Sequence, residues 1–287
     1  MYTNFISVSE FQAIAADCWV ADTRHQLMDV DWGSTVYAQA HIPGAVFMHM
    51  DRDLSAPKNG LNGRHPLPDP ESFLSELRRL GLQKGQQVVV YDQNNGQMAS
   101  RLWWMLSQWL GHEAVAVLDG GWDAWLTAGG PTTSEVNRPQ HPGNFDATVQ
   151  VDRVVSCSQV LANLNHPVFT VIDARAAVRW AGLQEPIDPV AGRIPGSRNR
   201  FSVSNNDEKG FIKPKEQLLA EWSSVLTGLQ PEHVVHQCGS GVTSAHNLLT
   251  LEYLGIKGSR LFAGSWSEWC ADLSRPVERD AVSPSSA

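Results

Sequence analysis

Short apolar runs alternate along the chain with segments of helical period. Residues 88–91 and 114–118 are compact apolar runs of the kind that form strands covered on both faces, and residues 98–110 between them carry apolar side chains around much of a helix. The order returns later, with strands predicted at 168–172, 234–237 and 260–262. Asp69-Pro70-Glu71-Ser72 predicts a helix start, with Asp as the cap and Pro in the first turn, and Lys213-Pro214-Lys215-Glu216 opens the corresponding helix of the second half. This alternation predicts an α/β fold in which a mainly parallel sheet is covered by helices on both faces.

The recurrence extends to sequence motifs. Asp22-Thr23-Arg24 returns as Asp173-Ala174-Arg175, and His41-Ile42-Pro43-Gly44-Ala45 as Arg193-Ile194-Pro195-Gly196-Ser197. Val88-Val89-Val90-Tyr91-Asp92 matches Val234-Val235-His236-Gln237-Cys238, and Gly120-Gly121-Trp122 matches Gly264-Ser265-Trp266. Four matches in the same order, each spaced by roughly 150 residues, indicate two copies of one domain. The expected division is a first domain over 1–130, a polar, Pro-rich linker over 131–147 and a second domain over 148–287, with a frayed tail from Ala281.

Composition narrows the classes. A chain of 287 residues, 42% hydrophobic and 18% charged, has room for two well-packed domains. Its net charge of −8 argues against general nucleic-acid binding. No run reaches the roughly 18 apolar residues of a membrane span, and Met1 to Ser7 lacks the basic-then-apolar pattern of a secretory signal. Cys18, Cys157, Cys238 and Cys270 show neither CxxC nor metal-ligand spacing, so a reducing cytoplasm is the expected setting and no metal is expected.

Candidate chemistry concentrates at Cys238-Gly239-Ser240-Gly241-Val242-Thr243. A strand that ends in a cysteine, followed by a Gly-Ser-Gly turn and a helix, sets the sulfur at the open end of several backbone N–H groups. Those donors favour negative charge and lower a thiol's pKa. The glycines let the backbone curl around the sulfur, and the pattern predicts a nucleophilic Cys238. The first copy carries Asp92-Gln93-Asn94-Asn95-Gly96-Gln97 at the same place, so only the second copy is expected to react. The first is then scaffold, or one wall of a cleft between domains. A cysteine phosphatase would need an arginine six residues after the cysteine, where Ser244 stands. A dinucleotide site would need a third glycine at that position, and Ser240 lacks the frame of a hydrolase elbow. Cys18, Cys157 and Cys270 read as structural thiols, and His236 and His246 as packing residues.

These residues resemble the rhodanese family over roughly residues 5–279. The tandem copies, the Ile-Pro-Gly motif in each, the Gly-Gly-Trp and Gly-Ser-Trp segments and the single cysteine loop all resemble two-domain sulfurtransferases. The loop itself is similar to the 3-mercaptopyruvate version, whereas thiosulfate enzymes of the tandem type carry basic residues directly after the cysteine. The resemblance implies sulfur transfer from mercaptopyruvate through a Cys238 persulfide to a thiol, thioredoxin or cyanide, without a cofactor. Thiosulfate transfer, or a rhodanese module that only carries sulfur or docks a partner, is the alternative. It further implies that Gly239, Gly241, Val242 and Thr243 bind substrate, that Arg179 holds its carboxylate, and that Ser240, His65 and Asp51 handle protons. The family's second substrate arginine is absent from Glu185-Pro186-Ile187-Asp188-Pro189, leaving Arg193 as the expected compensation.

Overall fold

The structure, a computed structural model, describes residues 1–93 and 95–281, so Asn94 and the predicted frayed tail beyond Ala281 lie outside the described residues. Five strands of the first half, β1 (Phe5–Ile6), β2 (Trp19–Asp22), β3 (Val46–Phe47), β4 (Val88–Tyr91) and β5 (Val115–Leu118), form a sheet in the order β1-β5-β4-β2-β3. The second half repeats it with β6 (Thr170–Asp173), β7 (Arg198–Asn199), β8 (Val234–Gln237) and β9 (Arg260–Leu261) in the order β7-β6-β8-β9. All strand pairs are parallel. An isolated parallel bridge from Val154 to Leu261 stands where β1 pairs with β5 in the first copy.

The apolar runs at 88–91 and 114–118 are strands with every residue buried, as their pattern predicts. Strand β2, Trp-Val-Ala-Asp, was not predicted, because Ala and Asp are weak strand formers; it is held by its full register against β4. The segment expected as a single helix over 98–110 is helical only over Ala99–Trp104 and then widens into π-type turns over Met105–Trp109. Asp69 caps its helix by accepting from the Ser72 N–H at 2.9 Å, with Pro70 in the first turn. Among the described residues no helix is long and apolar enough to cross a membrane.

The repeated Asp-x-Arg and Gly-x-Trp motifs turn out to be one device. Asp22 accepts from the Arg24 backbone N–H at 2.9 Å and from its guanidinium at 2.6 Å, and the Arg24 guanidinium lies 4.4 Å over the Trp122 ring. Asp173 and Arg175 make the same contacts at 2.9 and 2.7 Å, with Arg175 lying 4.6 Å over Trp266. Each pair ties the end of a central strand to the helix that follows the strand two places away in the sheet.

The halves share a core. The helix Ala99–Trp104 packs on the helix Ser244–Tyr253, and Ala245, Leu248 and Leu249 bury against Leu102, Trp103 and Leu106. The loops that leave β4 and β8 therefore line one cavity from opposite sides.

Replacing Asp22 by Ala strands the buried Arg24 charge. A loss of about 3–5 kcal/mol in urea-unfolding stability is expected. A loss below about 1 kcal/mol would mean that the Trp122 stacking and the Ala40 carbonyl suffice to hold the guanidinium.

Candidate active site

The loop after β8 wraps the Cys238 sulfur. Gly241 has φ of 75°, and a Cβ built there would lie 2.1 Å from the Ala263 carbonyl oxygen, so only glycine fits the bend. Ser265 Oγ accepts from the Cys238 N–H at 3.1 Å and fixes the start of the loop. Cys238 is buried, and burial alone raises a thiol's pKa. Hydrogen bonds from the Thr243 and Ser244 hydroxyls and from the Ser240 and Ser244 backbone N–H groups outweigh that effect, and the thiol falls below its ordinary value. Cys18 and Cys157 lack such donors, backbone hydrogen bonds at Cys270 are too weak to offset burial, and burial pushes all three up to about 11. Of the four cysteines, only Cys238 is shifted toward the thiolate.

The first copy fills the equivalent nest with its own side chain. Asp92 accepts from the N–H groups of Gly96 at 2.9 Å, Met98 at 2.7 Å and Ala99 at 2.9 Å. A carboxyl group occupies the place that the sulfur has in the second copy.

From that first copy come the groups that meet the cysteine loop. His65 Nδ1 lies 2.8 Å from Ser240 Oγ, and His65 Nε2 lies 3.6 Å from Asp51 Oδ1, which Lys58 also approaches at 2.8 Å. Contact with His65, against the opposing effect of burial and with help from Lys58, holds Asp51 well below the usual carboxylate range. Burial lowers the His65 pKa despite Asp51, so the ring is neutral near pH 7. The Asp51 anion assigns the ring hydrogen to Nε2, and Nδ1 is left to accept from the Ser240 hydroxyl.

Arg101, from the Ala99–Trp104 helix, is wholly buried. Its guanidinium donates to the carbonyls of Gly241 at 3.0 Å, His65 at 3.1 Å and Leu54 at 3.2 Å. Burial lowers it to about 10, and the Cys238 thiolate opposes that loss.

Arg179 reaches the same cavity, where it donates to Glu185 at 2.6 Å and Asp188 at 3.1 Å. Arg193 does not compensate for the missing arginine. It pairs with Glu278 and Asp280 and stacks 4.0 Å over Trp180. Arg64 stands at the loop instead, paired with Asp188. A Cβ on Gly239 would lie 2.6 Å from Arg64 Nη2 and 3.9 Å from both Arg179 Nη atoms, so two guanidinium groups converge beside the cysteine. The cavity encloses about 800 Å³. Cys238, Gly239, Ser240, Val242 and Thr243 line it, while Gly241 is turned toward Ala263 and Arg101. Leu27, Met28, Ile187, Phe201 and Val203 give it an apolar mouth. His236 and His246 are fully buried packing residues, the first edge-on to Trp222 and the second to Phe5.

Arg64 and Arg101 were not singled out from the sequence. Arg64 directly precedes His65, and no local pattern marks it. Arg101 had a usable signal, a lone charge within the apolar stretch Ala99-Ser100-Arg101-Leu102-Trp103-Trp104.

Comparison with known proteins identifies the family. The rhodanese-like domain family matches residues 7–128 and 156–272. A Pseudomonas aeruginosa protein named "Probable 3-mercaptopyruvate sulfurtransferase" is 43% identical over 91% of this chain and 92% of its own. The thiosulfate sulfurtransferase of Cricetulus griseus is 32% identical over 90% of this chain and 92% of its own. Among solved structures, SseA of Escherichia coli, described as a 3-mercaptopyruvate sulfotransferase, superposes with a TM-score of 0.79 at 29% identity, covering 92% of this chain and 99% of that one. The chain belongs to the rhodanese family: it is a sulfurtransferase built of two rhodanese-like domains in tandem.

Proposed function

We propose that the protein takes sulfur from 3-mercaptopyruvate, holds it as a Cys238 persulfide and passes it to a thiol acceptor such as thioredoxin. The observation that carries this reading is the contact of His65 with Ser240 at 2.8 Å, beside the one cysteine whose thiol is lowered. Thiosulfate releases sulfite and needs no proton, whereas mercaptopyruvate leaves as an enolate that does.

In the first step the Cys238 thiolate attacks the donor's sulfur. The new S–S bond forms as the donor's C–S bond breaks, and the electron pair of that bond leaves on the pyruvate enolate. The donor's thiol proton passes through Ser240 to His65 Nδ1 and returns to the enolate carbon, giving pyruvate and an anionic persulfide. Asp51 stabilises the transient imidazolium. An acceptor thiolate then attacks the outer sulfur and restores the Cys238 thiolate. The donors that surround the cysteine sulfur serve it again as leaving group.

Arg64 and Arg179 are the groups suited to the donor's carboxylate. Glu185 and Asp188 already balance these two cations, so the pair suits a monoanion better than a dianion. The domain division at residues 131–147 belongs to the same reading: a first domain that supplies His65, Asp51, Arg64 and Arg101, and a second that supplies the nucleophile.

Two outcomes test the proposal. The purified protein incubated with mercaptopyruvate should gain one sulfur atom at Cys238 and release pyruvate, and kcat/KM in a cyanide assay should exceed that with thiosulfate by roughly tenfold or more. Equal or better use of thiosulfate would replace the donor with thiosulfate. Arg64→Ala and Arg179→Ala should each lower mercaptopyruvate kcat/KM by roughly 10-fold to 150-fold, the loss of one charge-assisted bond, while neutral alkylation of Cys238 changes far less. Unchanged kinetics in both variants would require a different carboxylate anchor.

A further inference from the structure

His25 has no part in the steps above, yet its ring lies edge-on to that of His65, with centroids 6.0 Å apart. His25 and His65 are both more than nine-tenths buried; His25 Nε2 lacks a hydrogen-bond partner, and His65 Nε2 has only Asp51 Oδ1, at 3.6 Å. A buried imidazole nitrogen with no partner and a second with only a long contact, both beside a carboxylate, are a costly arrangement unless something joins them. One ligand atom from each of His25, Asp51 and His65 lies within 4.8 Å of the other two. A tetrahedral zinc ion, with ligands at about 2.0–2.1 Å, sets them roughly 3.4 Å apart. The 3.6 Å between Asp51 Oδ1 and His65 Nε2 is already close to that value.

We propose that His25, Asp51 and His65 form a zinc(II) site that, when filled, arrests sulfur transfer by locking the proton relay. Two imidazoles and one carboxylate suit zinc, with a fourth position left for water. His65 would bind through Nε2 and donate Nδ1–H to Ser240 Oγ, the outward hydrogen bond that ligating histidines make. That ring has no lone pair left for the donor's proton. Lys58, half exposed, holds the same Asp51 oxygen and swings into solvent when zinc enters. The ligands come from two loops of the first copy, His25 after β2 and Asp51 and His65 fourteen positions apart in the long connection after β3, and for that reason no metal-binding spacing appears in the sequence.

The arrest rests on the sulfur-transfer reading, whereas zinc binding stands apart from it, so the two are measured separately. Binding is followed by calorimetric titration of zinc chloride into Cys238→Ser protein, which removes the competing thiol. One zinc per chain is expected. Affinity should fall at least tenfold in the added His25→Phe and Asp51→Asn variants and rise roughly two- to fivefold in Lys58→Ala. Cobalt(II) in the same protein should give the strong visible bands of a tetrahedral nitrogen and oxygen site without a thiolate charge-transfer band. In protein that keeps Cys238, zinc should stop mercaptopyruvate turnover, chelator should restore it, and Lys58→Ala should need less zinc relative to its own zinc-free rate. Loss of binding in Cys238→Ser, or affinities indifferent to all three substitutions in variants with native thermal unfolding, overturns the site. Normal binding with unimpaired turnover overturns the arrest and leaves the site.

Discussion

The buried guanidinium of Arg101 is the contact on which the active site depends. It has no carboxylate partner among the described hydrogen bonds and salt bridges, and it donates to three backbone carbonyls, one of them Gly241 of the cysteine loop. A cation taken out of water at that depth needs an anion, and Cys238 is the one whose charge supports it. The attraction is mutual: a thiolate that keeps Arg101 protonated is itself favoured by Arg101. The same side chain holds the His65 carbonyl, so Cys238, the proposed nucleophile, and His65, its proposed proton acceptor, hang from one group. Arg101 belongs to the first copy, and the cysteine to the second.

Duplication followed by division of labour makes sense in these terms. Both copies keep the strand-to-helix loop whose N–H groups gather around a negative charge. In the second copy the anion is a thiolate stabilised by hydroxyls and amides; in the first it is the fixed carboxylate of Asp92. A nest plugged in this way binds nothing further. The first copy is thereby stable without chemistry, and its remaining polar groups serve its neighbour's loop.

The sequence carried the architecture well, because the repeated motifs are structural devices with local signatures. Asp-x-Arg with Gly-x-Trp is a buried ion pair stacked on an indole, and the cysteine loop with its glycines is a bend that no other residue fits. His65, Asp51 and Ser240 were grouped through family resemblance, and the fold sets His65 2.8 Å from Ser240 across 175 positions. Arg64 escaped because its partner Asp188 lies 124 positions away, a pairing that only the docking of the two halves creates. Strands β1, β3 and β7 escaped for another reason. Each is two residues long, too short for any period to register, and tertiary pairing defines it.

The thiol titration of Cys238 reads the shared anion site directly. The rate of alkylation by iodoacetamide against pH gives the apparent thiol pKa in the native protein, in Arg101→Lys and in Arg101→Met. The native value should lie below the ordinary 9.0, Lys should retain part of the depression, and Met should raise the value by about one unit or more in protein that still unfolds cooperatively. An unchanged thiol pKa in folded Arg101→Met protein would contradict the dependence of the nucleophile on the first copy's buried charge.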